Sequence, residues 1–271
     1  MAAKIKSSSN IAKYWAMFKL NAKDLLAYRS DLALSFLMRI LYPLVMVFVW
    51  TVIYATTKTS HIGTYTLDSM ILYFFLASVV SLVLYTDLPY TIQHDIKHGA
   101  IASKLALPMG YVRYTVTTVI IENFTWAAMA ELPLLIIILV VFRVHLSPIA
   151  VIEFIAMMGI GMGVSYAMEF IIGALSAYAN DIHGFVIFEG LMASLLGGSM
   201  IPLSLFSGSA AKIIGLLPFQ YMFYLPITAL TNPGAVAPEM FLGGLAWFAV
   251  LYVIGRLTWK QAYKSITSAG G

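Results

Sequence analysis

Long apolar stretches separated by short polar ones dominate the chain. Six of them approach or exceed the roughly 20 residues that a membrane-spanning helix needs, and they cover residues 32–54, 69–86, 114–142, 148–177, 185–206 and 240–255. Before the first stretch, over residues 10–30, apolar positions recur at helical spacing with lysines on the other side, which predicts an amphipathic helix at the membrane surface. The pattern predicts an all-α integral membrane protein with one domain over residues 1–271.

The segment between the fifth and sixth predicted spans has a different pattern. Residues 207–238 are apolar but contain Pro218, Pro226 and Pro233, and proline interrupts helices. Aromatic residues such as Phe219 suit the membrane interface. We therefore expect short helices that dip into the outer leaflet here, rather than a seventh span.

Composition and charge agree with this assignment. The chain is 61% hydrophobic and 10% charged, whereas a soluble domain carries about 25% charged residues. Little chain remains for a soluble catalytic domain, so most enzyme classes are excluded. Of the 16 Lys and Arg residues, Lys58, Arg143 and Lys212 alone fall on one predicted side, so the positive-inside rule places both termini in the cytoplasm. The basic charge is thus a topology signal and does not indicate nucleic-acid binding.

The predicted cytoplasmic segment between the second and third spans, residues 91–108, is polar with a periodic apolar edge. Its pattern residues are Asp95, Ile96, Gly99, Ile101, Leu105 and Pro108. A loop that only contacts solvent would not need an apolar edge, whereas a docking surface for another protein would. We therefore expect this edge to be exposed and to contact a partner.

At these residues the chain resembles the permease subunits of ABC-2-type ATP-binding-cassette exporters. That family carries the pattern Asp/Glu-Ile-x-x-Gly-x-Ile-x-x-x-Leu-x-x-Pro between spans two and three, in a segment that includes the coupling helix. The resemblance continues in the outer segment, where the matching residues are Pro202, Pro218, Phe219 and Pro226. It implies a membrane permease that exports an amphipathic, lipid-like or drug-like substrate from the cytoplasm by alternating access.

The energy source follows from a missing motif and from the same resemblance. The sequence contains no Gly-x-x-x-x-Gly-Lys-Ser/Thr loop, the element that cradles nucleotide phosphates. The resemblance implies that two cytoplasmic ATPase subunits bind ATP and Mg²⁺, and that a second permease, identical or homologous, completes the pathway in the cytoplasmic membrane. We therefore expect the chain to bind no cofactor itself and not to be an enzyme on its own.

Ionisable residues inside the predicted spans are a further candidate for function, because they are costly in lipid and usually face a bundle interior. They are Glu122, Glu131, Glu153, Glu169, Glu189 and Arg39. Residue spacing places two of the glutamates, Glu131 and Glu153, in the outer half, where we expect a polar site, and the other three in the inner half. The glutamates are either hydrogen-bonded packing residues, or they line the pathway and favour a cationic or hydrogen-bond-donating amphipathic substrate.

Two other function classes would leave sequence features different from those of an exporter. An ion-gradient-driven secondary transporter using the intramembrane glutamates would usually show repeated halves, and the sequence has none. A membrane-embedded enzyme would need clustered catalytic residues, yet the five His are divided between the two predicted sides. His94 and His98 have metal-ligand spacing but no third ligand near them in sequence, so no metal site is predicted.

Overall fold

The structure is a computed structural model that describes residues 15, 18–20, 22–23, 29–105 and 109–269. Most of the predicted amphipathic helix, residues 10–30, lies outside these residues. The described part contains no β-strand. Its α-helices are α1 Arg29–Thr57, α2 Leu67–Leu84, α3 Leu88–Lys97, α4 Ala100–Leu105, α5 Tyr111–Trp126, α6 Leu132–Val141, α7 Pro148–Leu175, α8 His183–Leu196, α9 Gly208–Leu216, α10 Tyr224–Thr231 and α11 Pro238–Ala269.

Five helical runs of the described residues are long and apolar enough to cross a membrane. They are Ile40–Thr57, Leu67–Lys97, Tyr111–Val141, Pro148–Leu175 and Pro238–Ile266. The second run joins α2 to α3, and the third joins α5 to α6 through a π-helical turn. These runs confirm an all-α integral membrane protein. The last helix is much longer than the predicted span 240–255 because α11 continues into the polar sequence that follows it.

The predicted span 185–206 is the one that the structure shortens most. It corresponds to α8, a helix of 14 residues, which ends just before Gly198, where φ is +97°. The two ends of this segment still reach opposite parts of the bundle. Tyr90 of α3 hydrogen-bonds His183 at 2.8 Å, while Tyr73 in the first half of α2 donates to the Gly198 carbonyl at 2.7 Å.

The predicted outer segment consists of short helices, as expected. The run Pro218–Thr231, which ends with α10, is bent by 72° relative to α9, and the pair would be a further candidate span by length and composition alone. Its contacts show a segment that turns back. Trp247 of α11 donates to the Leu216 carbonyl at the end of α9, 3.1 Å away. The chain then returns after α10 to the start of α7, where Gly234 N–H donates to Glu153 at 3.0 Å.

Helix α7 lies at the centre of the bundle and packs against α2, α3, α10 and α11. The largest apolar cluster surrounds α2, where Met70 and Phe74 are fully buried. Helix α1 covers α2 from outside, with Trp50 stacked on Phe74 at a ring separation of 5.9 Å. This arrangement leaves α3 and α4 at one end of the bundle, supported mainly by α5 and α7.

Candidate coupling site and intramembrane acids

The predicted coupling segment folds as a helical hairpin made of α3 and α4, here called the coupling hairpin, residues 88–105. Its turn is Gly99, which has a φ of +70°, a left-handed conformation that glycine adopts without steric penalty. The Gly99 N–H points to the Ile96 carbonyl at 3.4 Å, and its own carbonyl accepts from Ala102 N–H at 3.2 Å. The glycine of the sequence pattern is therefore explained by the turn.

Asp95 holds the two helices of the hairpin together. Its carboxylate accepts hydrogen bonds from Lys104 Nζ at 2.6 and 2.7 Å and from the Tyr111 hydroxyl at 3.0 Å. Asp95 is 2% exposed, and a buried carboxylate needs such partners. The motif aspartate thus joins α3, α4 and the first residue of α5.

Tyr111 connects this network to the last helix. Its ring stacks on that of Trp259 in α11, with ring centres 5.0 Å apart and planes within 7°. Trp259 also contacts Phe170 of α7 at 5.7 Å between ring centres. An apolar cluster surrounds these rings and includes Leu88, Ile92, Ile96, Val116, Val119, Phe170 and Trp259. The hairpin is therefore attached to α5, α7 and α11.

A further attachment joins α3 to the start of α8. One contact is the bond between Tyr90 and His183 described above. The other is made by Gln93, whose side chain reaches the loop before α8. With its amide oxygen directed towards this loop, Gln93 accepts a hydrogen bond from Ile182 N–H at 3.2 Å. In the same loop, the His183 backbone N–H donates to the Asp181 carboxylate at 3.0 Å. This bond lowers the pKa of Asp181, a solvent-exposed group.

The exposed side of the coupling hairpin differs from the prediction. Ile101, expected on an exposed apolar edge, is 4% exposed, while Ile96 and Leu105 are half-buried. The expectation of an exposed apolar edge is wrong because the chain's own helices cover these side chains. Pro108 lies outside the described residues. The exposed residues of the hairpin are instead polar or small, namely His94, Lys97, His98, Gly99, Ala102 and Ser103.

The two histidines of this surface contact each other. The rings of His94 and His98 are stacked, with centres 4.2 Å apart, and His98 Nδ1 lies 3.0 Å from the His94 carbonyl. Among the residues that the structure describes, no group of three His, Cys, Asp or Glu side chains is placed to hold a metal ion. The two stacked rings give the exposed side an aromatic and polar surface beside Lys97.

The junction between α2 and α3, residues 83–88, is a second structured feature at this end of the bundle. Pro89 has no N–H, and its ring would clash with the carbonyl of Tyr85 in a continuous helix, so α2 ends at Leu84 and α3 begins at Leu88. Glu169 of α7 bridges the gap. Its Oε1 accepts from Thr86 N–H at 2.9 Å, and the Thr86 hydroxyl donates to its other oxygen.

The three glutamates predicted for the inner half lie on three different helices, α5, α7 and α8, and their surroundings differ. Their depth in the membrane stays a prediction. Glu169 and Glu189 are 3% and 6% exposed and lie within electrostatic range of each other. Glu189 Oε1 is buried and has no hydrogen-bond partner among the described residues. Glu122 is exposed on the side of α5. Arg39 lies in α1, but its side chain is outside the described part of the structure.

The outer glutamates occupy two different settings. Glu131 is 3% exposed and ends the π-helical turn Ala127–Glu131, which packs against α2. This wider turn precedes Pro133, whose ring would otherwise clash with the preceding helical turn. Glu153 is half-buried near the start of α7, where it accepts the hydrogen bond from Gly234 described above.

The prolines and the phenylalanine singled out in the outer segment lie at its helix starts. Pro202 directly precedes the 3-10 turn Leu203–Leu205, and Pro218 and Phe219 begin the next such turn. Pro226 is in the first turn of α10, where a missing N–H is tolerated. These residues shape the outer segment.

Several residues of the site carried little signal in the sequence. Ser165 and Tyr166 bind the α2–α3 junction, and Thr86 of the junction binds Glu169, but none of the three belongs to a recognisable sequence pattern. The signal that was available is the polar pair Thr86–Asp87 at the end of an apolar run, followed two residues later by Pro89. A second one is the four-residue spacing of Ser165 and Glu169, which places both on one face of α7.

Comparison with known proteins identifies the family. The family described as ABC-2 family transporter protein matches residues 40–270, a range that includes nearly all of the described helices. No curated protein matches the chain. Together with the helical membrane architecture, this match shows that the chain belongs to the ABC-2 family and is a multi-pass membrane permease of an ATP-binding-cassette transporter.

Proposed function

We propose that the chain is the permease subunit of an ATP-driven exporter in the cytoplasmic membrane. It works as a dimer with an identical or homologous permease and with two cytoplasmic ATPase subunits, and both of its termini lie in the cytoplasm. The observation that carries this proposal is the coupling hairpin, which has one exposed side and one side attached to α5, α7, α8 and α11. A partner bound to the exposed side would transmit its movement to these helices.

The docking surface of this proposal is the exposed side of the hairpin. It combines Lys97 with the stacked rings of His94 and His98 and with the small residues Ala102 and Ser103. Positive charge on one partner favours negative charge on the other. The ATPase surface that receives the hairpin is therefore expected to be acidic, with room for two imidazole rings.

The substrate proposed here is amphipathic, lipid-like or drug-like, with a cationic or hydrogen-bond-donating group. Glu189 is the residue that best supports this class, because it is buried and one of its oxygens has no hydrogen-bond partner among the described residues. A buried carboxyl group in a span is costly and usually marks function. Glu169, by contrast, is occupied by Thr86.

The test of docking compares one charge reversal on each side of the membrane. The tagged chain, expressed with its genomic neighbours, is purified in mild detergent and its associated ATPase is measured. Lys97→Glu should reduce the copurified ATPase about tenfold or more, because like charges then face each other. Lys212→Glu, an equally exposed position on the proposed outer side, should leave it unchanged.

Two results would contradict the proposed docking surface or the exporter assignment. If both variants retain the ATPase, the hairpin is not the docking surface. If the unmodified chain purifies without any nucleotide-dependent partner, the exporter assignment falls, and gradient-driven transport through the intramembrane glutamates becomes the leading alternative.

The substrate class has its own test. Glu189→Gln is expected to abolish stimulation of ATP hydrolysis by cationic amphiphiles while basal hydrolysis continues. The matched control is Glu122→Gln, which changes an exposed glutamate of the same predicted half of the membrane. Equal stimulation in the unmodified complex and in both variants would contradict the role of Glu189.

A further inference from the structure

We infer that the α2–α3 junction is a hinge and that Glu169 is the positioning residue that sets the angle of the coupling hairpin relative to the spans. The inference rests on the proposed function, because a hinge at this place is useful only if the hairpin transmits movement. It assigns Glu169 a role different from that of the substrate-facing residue proposed above, Glu189.

The backbone is interrupted at the α2–α3 junction. A helix interrupted inside or next to a membrane exposes N–H and C=O groups, and each unpartnered group costs several kcal/mol in lipid. The junction is about 17 residues from the start of the run Leu67–Lys97. This number of residues spans roughly 26 Å along a helix. The junction is therefore expected near the inner edge of the hydrocarbon layer. The backbone N–H and C=O groups at such an interruption need hydrogen-bond partners.

Neighbouring helices supply those partners. The Val83 carbonyl accepts from Asn123 Nδ2 at 2.7 Å and from the Tyr166 hydroxyl at 3.2 Å. The Leu84 carbonyl accepts from Ser165 Oγ at 3.0 Å. Because these donors belong to α5 and α7, the end of α2 is held by side chains that do not depend on the direction of α3.

Thr86 links the start of α3 to Glu169. Thr86 donates both its N–H and its hydroxyl to Glu169, and its hydroxyl oxygen accepts from Leu88 N–H at 3.1 Å. A short hydrogen-bonded path therefore runs from the carboxylate of α7 to the first residue of α3. Side-chain bonds of this kind can rearrange while the helices on both sides remain intact.

Beyond the hinge, α3 packs against a glycine of α7. Gly173, four residues after Glu169, lies under α3, and a Cβ atom placed there would be 2.7 Å from Ile92 Cδ1 and 3.2 Å from Pro89 Cα. A side chain at this position would obstruct α3. The absence of a side chain at Gly173 and the hydrogen bonds between Thr86 and Glu169 together allow α3 to pivot on α7. Glu169 fixes the preferred angle between the two helices.

The experiment measures that angle in the purified full chain, which contains no native Cys. Spin labels are attached through Thr64→Cys and Lys97→Cys, two exposed positions at the ends of the α2–α3 run, roughly 50 Å apart along a helix. A single narrow distance is expected for the parent chain. Glu169→Leu and Thr86→Val should each broaden or shift it, and the combined variant should do no more than either alone.

Two further variants separate positioning from general packing. Glu169→Gln should keep the parent distance, since its amide oxygen can accept from Thr86 N–H while its amide nitrogen can donate to the Thr86 hydroxyl, the group that Thr86→Val removes. Glu189→Leu, the same change at a buried glutamate outside the junction, should also leave it unchanged. The inference is overturned if Glu169→Leu has no effect on the distance, or if Glu189→Leu broadens it equally. Helicity measurements identify any variant that has not folded.

A functional readout completes the test. In the complex, Glu169→Leu should retain the full amount of copurified ATPase while transport falls about tenfold. Loss of the ATPase instead would contradict a pure positioning role. Because the distance measurement needs no partner, a parent chain that purifies alone would overturn the proposed function without deciding the hinge.

Discussion

The two sides of the coupling hairpin differ in burial, in polarity and in their contacts with other helices. The buried side carries Asp95 and Ile101, which are 2% and 4% exposed, and connects to Tyr111 and Trp259. The exposed side carries polar and small residues without comparable attachments. The residues that define the family pattern are therefore largely those that fasten the hairpin, while the surface available to a partner lies between them. A motif can thus mark how a segment is held rather than what it contacts.

The largest effect should follow from removing the central attachment. Asp95→Leu leaves the buried Tyr111 hydroxyl without its acceptor and Lys104 without its counter-charge, so we expect a loss of about 3 kcal/mol in unfolding free energy. Asp68→Leu, at an exposed aspartate of α2, should lose less than about 1 kcal/mol. Thermal unfolding of the purified chain checks both. Equal losses would contradict the difference between the two sides.

A smaller effect is expected at the far end of the same network. Trp259→Ala removes the stack on Tyr111 and the contact with Phe170, which should destabilise the chain by about 2 kcal/mol because Trp259 is half-buried. Trp259→Phe retains an aromatic ring and should recover most of the loss. If the alanine variant is as stable as the parent chain and transports normally, α11 is not coupled to the hairpin.

The turn of the hairpin should show an intermediate change. Gly99→Ala introduces a Cβ at a φ of +70°, where nothing else lies within 4 Å of the new atom, so the expected loss of about 1 kcal/mol comes from backbone strain alone. Unfolding measurements on this variant and on Gly215→Ala, a helical position with open space, isolate that strain. A neutral Gly99→Ala would show that the turn tolerates other conformations.

The smallest effect on stability belongs to the exposed side. His98→Ala should change the unfolding free energy by less than about 0.5 kcal/mol, because the residue is exposed, yet it should weaken binding of the ATPase. Affinity measured alongside unfolding separates the two properties. A stability loss as large as that of Asp95→Leu, or unchanged affinity, would contradict the account of this surface.

The spans were predictable because a membrane imposes length and hydrophobicity on each crossing. Each of the five long runs overlaps one predicted apolar segment, although the second and the last continue beyond theirs into polar sequence. The early end of α8 was not predictable from the sequence. It depends on the left-handed conformation of Gly198 and on the hydrogen bond from Tyr73, which lies more than a hundred residues away in sequence. The apolar sequence continues past Gly198, so composition alone does not indicate that the helix ends there.

The candidate site was predictable in position but not in orientation. The pattern from Asp95 onwards located the hairpin, yet the side that is covered is decided by Tyr111 and Trp259, which sequence periodicity does not connect to it. The same holds for Glu169, whose partner Thr86 lies 83 residues earlier. Spacing along a span predicts the depth of a glutamate, whereas its role depends on side chains from other helices.

The most direct test of the central claim uses two single-cysteine variants of this cysteine-free chain. Ser103→Cys lies on the exposed side of the hairpin, and Asn180→Cys is exposed on the loop before α8. Both are reacted with a maleimide before and after the ATPase is bound. We predict that the ATPase protects Ser103→Cys and leaves Asn180→Cys reactive. Equal reactivity of Ser103→Cys with and without the ATPase would contradict docking on the exposed side of the coupling hairpin.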